Sequence, residues 1–298
     1  MQTFEPNAPR QRSDFRFFHR LRVRWAEVDM QKIVFNAHYL MYFDTAVADY
    51  WRALVLPYED SMHVLQGDLY ARKATVDFHA SARIDEVVDV AIRCARIGNS
   101  SMVFEGALFR GDQFLVAVDL VYVFADPATQ TSRPVPAALR ETLTAFERGE
   151  AVCELKAGSW EELGEGASAL RRAVFIEEQS IPAELEWDEE DATAVHGVAR
   201  NRLGQVIATG RLLRDAKHPG AARIGRMAVH RVLRGEGWGE RVLRLLEDAA
   251  RARGDVEVRL HAQRSAQAFY TRLGYAPCGE PFVEAGIPHV EMRRSLKG

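Results

Sequence analysis

The glycine-rich segment 234–239, which reads Arg-Gly-Glu-Gly-Trp-Gly, is the first place where residue types and spacing could do chemistry. An apolar run, 224–229, precedes it, and a long amphipathic stretch, 240–253, follows it. This order predicts a strand, a turn and a helix. Glycines let the backbone come close to a ligand, and the first N–H groups of a helix point at a bound anion. The segment therefore predicts a site for a cofactor that carries a pyrophosphate.

A second candidate is a pair of acids, Glu27 and Asp29, between a predicted strand and a predicted helix. The N–H groups at a helix start can polarise a carbonyl oxygen, and a neighbouring carboxylate can attack that carbonyl or activate water. The alternative is that either acid only caps a turn or a helix, and spacing alone favours this alternative. Nearby, we expect His38 to be a cap or surface residue rather than a base, and Asp44 to make a buried hydrogen bond rather than to be a second functional acid.

The composition is that of a globular protein and excludes several classes of function. The chain has 298 residues, enough for two domains, with 47% hydrophobic and 27% charged residues. A net charge of −3 and arginines spread along the chain give no basic face for nucleic acid. No apolar run is long enough to span a membrane, and the N-terminus has no secretory signal. The three cysteines have no metal-like spacing, so we expect reduced thiols, no metal and a cytoplasmic location.

The element pattern predicts two α+β domains in succession. A helix over 38–56 is apolar on most sides, so we expect a sheet to wrap around it. The first half adds strands over 17–25, 71–80, 86–97, 101–110 and 114–126 and a closing helix over 137–148. The second half begins with a strand over 152–157, a helix over 160–177 and strands over 194–200 and 206–213. We expect a flexible tail over 1–15, one domain over 16–148 and another over 149–298.

Residues 224–275 resemble the GCN5-related N-acetyltransferases (GNAT), whose phosphate turn reads Arg/Gln-x-x-Gly-x-Gly/Ala. Arg234, Gly237 and Gly239 fill that pattern, and 268–275, Ala-Phe-Tyr-Thr-Arg-Leu-Gly-Tyr, resembles a later helix of the family. Further similarity lies in 174–182 and 186–191, while His261-Ala-Gln263 departs mildly from the family pattern. The resemblance extends over roughly residues 152 to 296. It implies a mixed central sheet flanked by helices and acetyl transfer from acetyl-CoA to an amine.

The GNAT resemblance also implies roles for individual residues. Tyr270 would protonate the departing CoA thiolate, and the backbone of Met227, Ala228 and Val229 would bind the pantetheine arm and the thioester carbonyl. The pyrophosphate would lie on Arg234, Gly235, Gly237, Trp238 and Gly239. The base stays open among Glu177, Glu178, Glu284, His289 and a water chain. The segment Glu284 to His289 would shape the acceptor site. The acidic stretch 184–191 could favour a cationic amine, but a solvated loop is the simpler interpretation.

Residues 24–39, together with Tyr42-Phe-Asp-Thr-Ala46, resemble the hotdog-fold acyl-CoA thioesterases of the 4-hydroxybenzoyl-CoA thioesterase type. That family's pattern is Asp-x-Asp-x-x-Gly-Ile/Val-Val-Tyr/Phe, followed by Tyr. The resemblance implies an antiparallel sheet around a central helix and an active site at a protomer interface, hence a homo-oligomer, a dimer or tetramer. It implies catalysis by Asp29, as nucleophile or general base, and an oxyanion donor in the backbone N–H of Asn36.

Two positions depart from the thioesterase pattern. Glu27 replaces the first aspartate, and Lys32 replaces the glycine. Lys32 could pair with Asp29 and lower its basicity, or it could contact a CoA phosphate.

We interpret the chain as a fusion of two enzymes that use acyl-CoA, one giving the acyl group to water and the other giving an acetyl group to an amine. The principal alternative is an acetyltransferase whose hotdog half only dimerises or binds acyl-CoA, and Lys32 favours it. A third is a regulator with two CoA sites, against which Asp29 and Tyr270 argue. The acyl chain and the acceptor amine are not specified by the sequence.

Overall fold

An antiparallel sheet that wraps one buried helix forms the first half of the protein. The computed structural model describes residues 10–297, and its contacts divide the chain into two units, 1–152 and 153–298. In the described part of the first unit the sheet has the order β1-β3-β4-β5-β2. Its strands are β1 (Phe17–Arg22), β2 (Asp68–Phe78), β3 (Val87–Ile97), β4 (Ser101–Arg110) and β5 (Gln113–Ala125).

The buried helix is α1 (Asn36–Ala53), and its side chains explain why it lies against the sheet. Aromatic and aliphatic residues recur on several sides of it, so most of its surface must leave water. Gly106 on β4 makes room for it, because a Cβ there would lie 2.8 Å from the ring of Phe43. Two shorter helices, α2 (Tyr58–Leu65) and α3 (Ala137–Glu147), complete the described unit. The predicted central helix and meander are confirmed to within a few residues, whereas α2 was not predicted.

The start of the chain differs from the predicted tail over 1–15. Residues 1–9 lie outside the described residues, but from Arg10 onward the chain packs on the sheet. The Arg10 guanidinium donates to the carbonyls of Gly106 and Val118, at 2.5 and 2.6 Å. Phe15 is buried in a cluster that includes Phe109. These apolar and cationic side chains attach residues 10–15 to the domain. The sequence predicted a tail here because the surrounding sequence is polar and contains prolines.

The second unit is a mixed sheet between two helices. The strands of its described part are β6 (Cys153–Gly158), β7 (Val195–Asn201), β8 (Val206–Arg214), β9 (Ala221–Val229), β10 (Glu257–Gln263), β11 (Ala276–Pro277), β12 (Phe282–Glu284) and β13 (Ile287–Ser295). Their order is β11-β13-β10-β9-β8-β7-β6, with β12 paired to β13. Only β9 and β10 pair in parallel. The α+β class and the two predicted architectures are confirmed.

Helices α4 (Trp160–Arg171) and α6 (Trp238–Arg253) lie on opposite faces of this sheet. Neighbouring residues of a strand point to opposite faces. On β7, Val198 packs against α4, while a Cβ at Gly197 would lie 2.9 Å from Leu246 of α6. The chain after α4 winds into a π-helical segment, Arg172–Glu178, and then a short helix α5 (Ala183–Glu186). The predicted helix over 160–177 therefore changes its winding in its last two turns.

The acidic stretch 184–191 is neither a solvated loop nor a free attractor for cations. Four of its six acids pair with arginines from α4, β8 and β9, and two of these four, Glu186 and Asp191, are buried, whereas Glu184 and Glu189 are exposed. Arg171, with only 1% of its side chain exposed, donates to Glu186 at 2.5 Å and to Asp191 at 2.8 Å. The whole cluster comprises Arg171, Arg211, Arg223 and Arg226 with Glu186, Asp188, Glu190 and Asp191. Four cations therefore balance four anions.

We predict that Arg171→Met destabilises the second unit by about 3–5 kcal/mol, because it leaves the buried carboxylates of Glu186 and Asp191 without their main partner. The matched control is Arg172→Met, since Arg172 is the next residue and is exposed. Urea unfolding of the full chain, with hydrogen exchange to assign the transition to residues 153–298, measures both changes. Equal unfolding midpoints for the two variants would show that the cluster does not stabilise the fold.

Candidate active sites

The glycine turn joins β9 to α6 and has the backbone shape of an anion site. Gly235 and Gly237 have φ values of 88° and 80°, in the left-handed region that favours glycine. A Cβ on either residue would meet no atom within 4 Å, so open space adjoins the turn. No side chain caps the start of α6. The first N–H groups of the helix are therefore available to an anion.

Three other residues of the turn contribute through packing and anchoring. Arg234 donates from both terminal nitrogens to Glu178, at 2.6 Å each, and from Nε to the carbonyl of Val229 at 3.1 Å. Its guanidinium thus ties the turn to the π-helical segment. The indole of Trp238 is buried under the guanidinium of Arg241, 4.2 Å from the ring centroid. Gly239 packs near Val229, and a Cβ there would lie 3.4 Å from a methyl group of Val229, an ordinary van der Waals distance.

A cavity of about 330 Å³ opens beside β9 and contains several of the predicted residues. The pairing of β9 with β10 ends after Arg223 and Arg259, so the two strands separate beyond that point. On the other side of β9, Arg226 and Met227 together oppose the single residue Gly210 of β8, which is a β-bulge. Arg226 has a φ of 52° at this bulge. Because β9 and β10 have separated at this point, the backbone of residues 227–229 has no pairing partner on β10 within the described residues.

Tyr270 and Met227 both line this cavity. Tyr270 belongs to the short helix α7 (Gln267–Arg272) and is only 7% exposed. Burial raises the pKa of its phenol to about 12, so the hydroxyl keeps its proton at neutral pH. Its ring packs edge-on against Phe269 and Tyr275. Ala228 instead points into the core with Leu170 and Phe175, so it can offer only backbone groups to a ligand.

Glu284 and His289 also line the cavity, together with His261. Glu284 Oε2 lies 3.1 Å from Nδ1 of His261, and this hydrogen bond lowers the pKa of Glu284 although burial opposes the shift. His289 Nδ1 lies 2.8 Å from the carbonyl of Ile287. Glu178 is held by Arg234, which lowers its pKa, and Glu177 is exposed and does not line the cavity.

Asp29 in the first unit stands at a tight turn with part of its carboxylate free. Its Oδ1 accepts the N–H of Gln31 at 2.8 Å, and its carbonyl accepts the N–H of Lys32 at 2.9 Å. Within residues 10–297, Oδ2 has no hydrogen-bond partner and Lys32 makes no ion pair with Asp29. Lys32 has a φ of 60°, which explains why a glycine suits this position. The carboxylate caps the turn, and its second oxygen remains available.

Glu27 holds the loop in which Asp29 lies. It is 2% exposed and accepts the backbone N–H of Arg24 at 2.8 Å, the Arg24 guanidinium at 2.6 Å and the Tyr42 hydroxyl at 2.6 Å. Burial alone would raise the pKa of Glu27, but these hydrogen bonds lower it below the ordinary value. Glu27 is therefore a structural anion that positions the loop.

The N-terminus of α1 follows this loop and starts without a side-chain cap. Its first residue, Asn36, is exposed, so its N–H can serve an external acceptor. The ring of His38 lies edge-on to Phe35, 6.1 Å between centroids. Asp44 accepts a hydrogen bond from the Tyr122 hydroxyl at 3.3 Å, but it is exposed rather than buried as expected, because its side of α1 is open to solvent.

Comparison with known proteins gives each half a family. The sequence profile of the acetyltransferase (GNAT) domain matches residues 159–296, and that of the thioesterase superfamily matches residues 31–117. Protein ElaA of Escherichia coli is 36% identical over 132 residues, 43% of this chain and 84% of that protein. This chain belongs to the GNAT acetyltransferases and carries a thioesterase-superfamily domain before the GNAT domain.

Two solved structures illustrate the halves. An acyl-CoA N-acyltransferase from Pseudomonas aeruginosa is 34% identical, with a TM-score of 0.43, over 48% of this chain and 99% of that chain. A 1,4-dihydroxy-2-naphthoyl-CoA thioesterase from Synechocystis is 16% identical, with a TM-score of 0.41, over 44% of this chain and 97% of that chain.

The cavity of the GNAT domain brings together four of the predicted residues, Met227, Tyr270, Glu284 and His289. The turn at 234–239 follows the C-terminal end of β9 and leads into α6. His261 was named only as a departure from the family pattern and was missed as a site residue. The alternation of side chains along a strand could have identified His261. Every second residue of a strand points to the same face, and His261 shares a face of β10 with Gln263.

The described residues add two negative observations. No group of three or more His, Cys, Asp or Glu within 10–297 is arranged to hold a metal ion. No helix in that range is long and apolar enough to cross a membrane.

Proposed function

We propose that this protein is a bifunctional acyl-CoA enzyme. Its GNAT domain transfers an acetyl group from acetyl-CoA to an amine, and its thioesterase-superfamily domain hydrolyses an acyl-CoA thioester. The observation that carries the transferase half is the cavity beside the separated strands β9 and β10, with Tyr270 in its wall. Both families use CoA thioesters, and two such domains on one chain support a double role in acyl-CoA chemistry. We assign residues 10–148 to the hotdog domain, since 10–15 pack on its sheet, and residues 149–298 to the GNAT domain.

In the proposed transfer the pyrophosphate lies on the N–H groups of Gly235, Gly237 and the start of α6. Gly239 and Trp238 support the turn by packing, and Arg234 keeps it in place through Glu178. The pantetheine arm follows the backbone of 227–229, which has no β10 partner in the described register. The protonated Tyr270 hydroxyl supplies a proton to the departing thiolate.

We predict that Gly237→Val weakens acetyl-CoA binding at the GNAT domain by roughly tenfold or more, because a branched side chain would occupy the open space at the turn and strain a φ of 80°. The matched control is Gly204→Val, since Gly204 has a φ of 82° and equally open surroundings but lies in the β7–β8 turn. Hydrogen exchange of peptides covering 231–245, measured against acetyl-CoA concentration, reports this site alone. Unchanged protection in Gly237→Val would show that the turn does not bind the pyrophosphate.

The proposed hydrolysis uses Asp29 as nucleophile or general base. The free Oδ2 of Asp29 and the uncapped start of α1 at Asn36 support it. The Asn36 N–H would bind the carbonyl oxygen and stabilise its developing charge. Because Lys32 forms no ion pair with Asp29 in the described structure, its exposed ammonium is better placed to contact a CoA phosphate.

We predict that Asp29→Asn lowers acyl-CoA hydrolysis by roughly a hundredfold or more with little change in folding, because the amide keeps the turn contact and removes the charge. Asp112→Asn, an exposed acid in the β4–β5 turn, serves as control. Lys32→Gly should raise KM and leave kcat nearly intact if Lys32 contacts a phosphate, whereas a higher kcat would indicate pairing with Asp29. The assay covers short, long and aromatic acyl-CoAs.

A different outcome of that assay favours the second candidate function. If neither wild type nor Lys32→Gly hydrolyses any acyl-CoA, the chain is an acetyltransferase whose hotdog domain dimerises or binds acyl-CoA. The replacement of the family glycine by Lys32 is the observation that supports this candidate.

We propose a homo-oligomer, a dimer or tetramer, through the hotdog domain. Large apolar side chains beside Asp29 are exposed in the single chain, including Trp25 at 81%, Met30 and Phe35. Light scattering at micromolar concentration should give at least twice the mass of 33.6 kDa. A monomer would contradict this prediction. The free cysteines Cys94, Cys153 and Cys278 support a cytoplasmic location.

A further inference from the structure

The cavity of the GNAT domain contains an imidazole–carboxylate pair. His261 comes from β10 and Glu284 from β12, and Nδ1 of His261 lies 3.1 Å from Oε2 of Glu284. The ring of His261 is held edge-on by Phe282, with 4.8 Å between centroids. The side chain is 42% exposed, so a molecule in the cavity can reach it.

Most other ionised groups of the cavity wall are already paired. Arg211, Arg223 and Arg226 belong to the balanced cluster with the acids of 186–191. Glu186 is buried between Arg171 and Arg226. Burial raises the pKa of Glu186 although both guanidiniums oppose the shift, but each of its carboxylate oxygens is already occupied by one of these guanidiniums. The pair of His261 and Glu284 is not tied in this way.

The hydrogen bond between the pair fixes which nitrogen of the imidazole is free. A carboxylate only accepts hydrogen bonds, so Nδ1 carries the hydrogen and donates it to Glu284. Nε2 then holds the lone pair, and in the described part of the chain it has no hydrogen-bond partner. An imidazole in this arrangement is suited to take a proton from a ligand.

We propose that His261 is the general base that deprotonates the acceptor amine, and that Glu284 positions it; this rests on the proposed acetyl transfer. The acceptor then enters as a primary ammonium ion. Nε2 takes one proton from it, and the freed nitrogen lone pair attacks the thioester carbonyl. The C–N bond forms and the C–S bond breaks. The Tyr270 hydroxyl gives its proton to the thiolate, the amide nitrogen returns a proton to Tyr270, and His261 releases its proton to solvent.

The charged groups around His261 are compatible with this role. Arg226 of β9 lies in the same wall but pairs with Glu186 and Asp188. Glu291 of β13 lies opposite His261 in the strand register and pairs with Arg259, at 2.9 Å. His289 of β13 uses Nδ1 on a backbone carbonyl, and Tyr270 of α7 is neutral at ordinary pH. Glu284 is thus the carboxylate that acts on His261 directly.

Kinetics of the full chain test the base. Acetyl transfer to 1,4-diaminobutane, tryptamine and the side-chain amine of Nα-acetyl-lysine is followed by thiol release. His261→Asn should lower kcat/KM near neutral pH by roughly a hundredfold, and the loss should shrink as the pH approaches the ordinary amine pKa of about 10.4, where free amine is abundant. Affinity for acetyl-CoA, read by hydrogen exchange at 231–245, should not change. The matched control is His218→Asn, a histidine of the β8–β9 connection that does not line the cavity, and it should keep full activity.

Three kinetic outcomes would overturn the inference while leaving acetyl transfer intact: full activity in His261→Asn, a loss that does not depend on pH, or an equal loss in His218→Asn. Failure of the wild-type chain to bind acetyl-CoA at 231–245 would instead refute the proposed transferase.

Nitrogen-15 NMR tests the pair without any acceptor. In the alkaline range the neutral His261 should carry its hydrogen on Nδ1 in the wild type and become a mixture of tautomers in Glu284→Gln, whereas His289 should not change. An Nε2–H tautomer in the wild type would overturn the proposal even if no amine of the panel is acetylated. Glu284→Gln should lower kcat/KM by roughly tenfold, and Glu284→Asp should restore part of it.

Discussion

The short parallel pairing of β9 with β10 is the constraint on which the GNAT half depends. The two strands share backbone hydrogen bonds only over 221–223 and 257–259, and beyond that they separate. The bulge at Arg226 and Met227 turns β9 away from its β8 register at the same place. A sheet interrupted in this way leaves polar backbone groups facing a cavity instead of a neighbouring strand. The cavity and its access to Tyr270 both follow from this one interruption.

The wall of that cavity is stabilised by charge rather than by apolar packing alone. Arg171 and Arg211 bring Glu186, Asp188 and Asp191 against the sheet, and each of these acids is paired with a guanidinium. Beside this cluster the cavity holds a smaller set of polar groups, His261, Glu284 and His289, and the neutral Tyr270. The internally paired cluster thus provides a rigid wall next to them.

In the hotdog half, two acids of one loop have different surroundings. Glu27 is buried and fully engaged with Arg24 and Tyr42, so it positions the loop, whereas Asp29 keeps one carboxylate oxygen free at the surface. Lys32 adopts a backbone conformation that glycine would adopt with less strain. Large apolar side chains, Trp25, Met30 and Phe35, are exposed around Asp29.

The sequence by itself determined both families, the order of the elements and the glycine turn, because hydrophobic period and motif spacing are local properties of the chain. It also placed Asp29 in a loop between a strand and a helix, Asn36 at a helix start and Tyr270 within a helix. Only the tertiary structure decided which charges are paired. Arg171 and Asp191 are 20 residues apart, and His261 and Glu284 are 23 apart. No local pattern connects them, since they meet only after the sheet has formed and β12 has folded back on β13. The packing of Arg10 was hidden for the same reason, because it depends on contacts with β4 and β5.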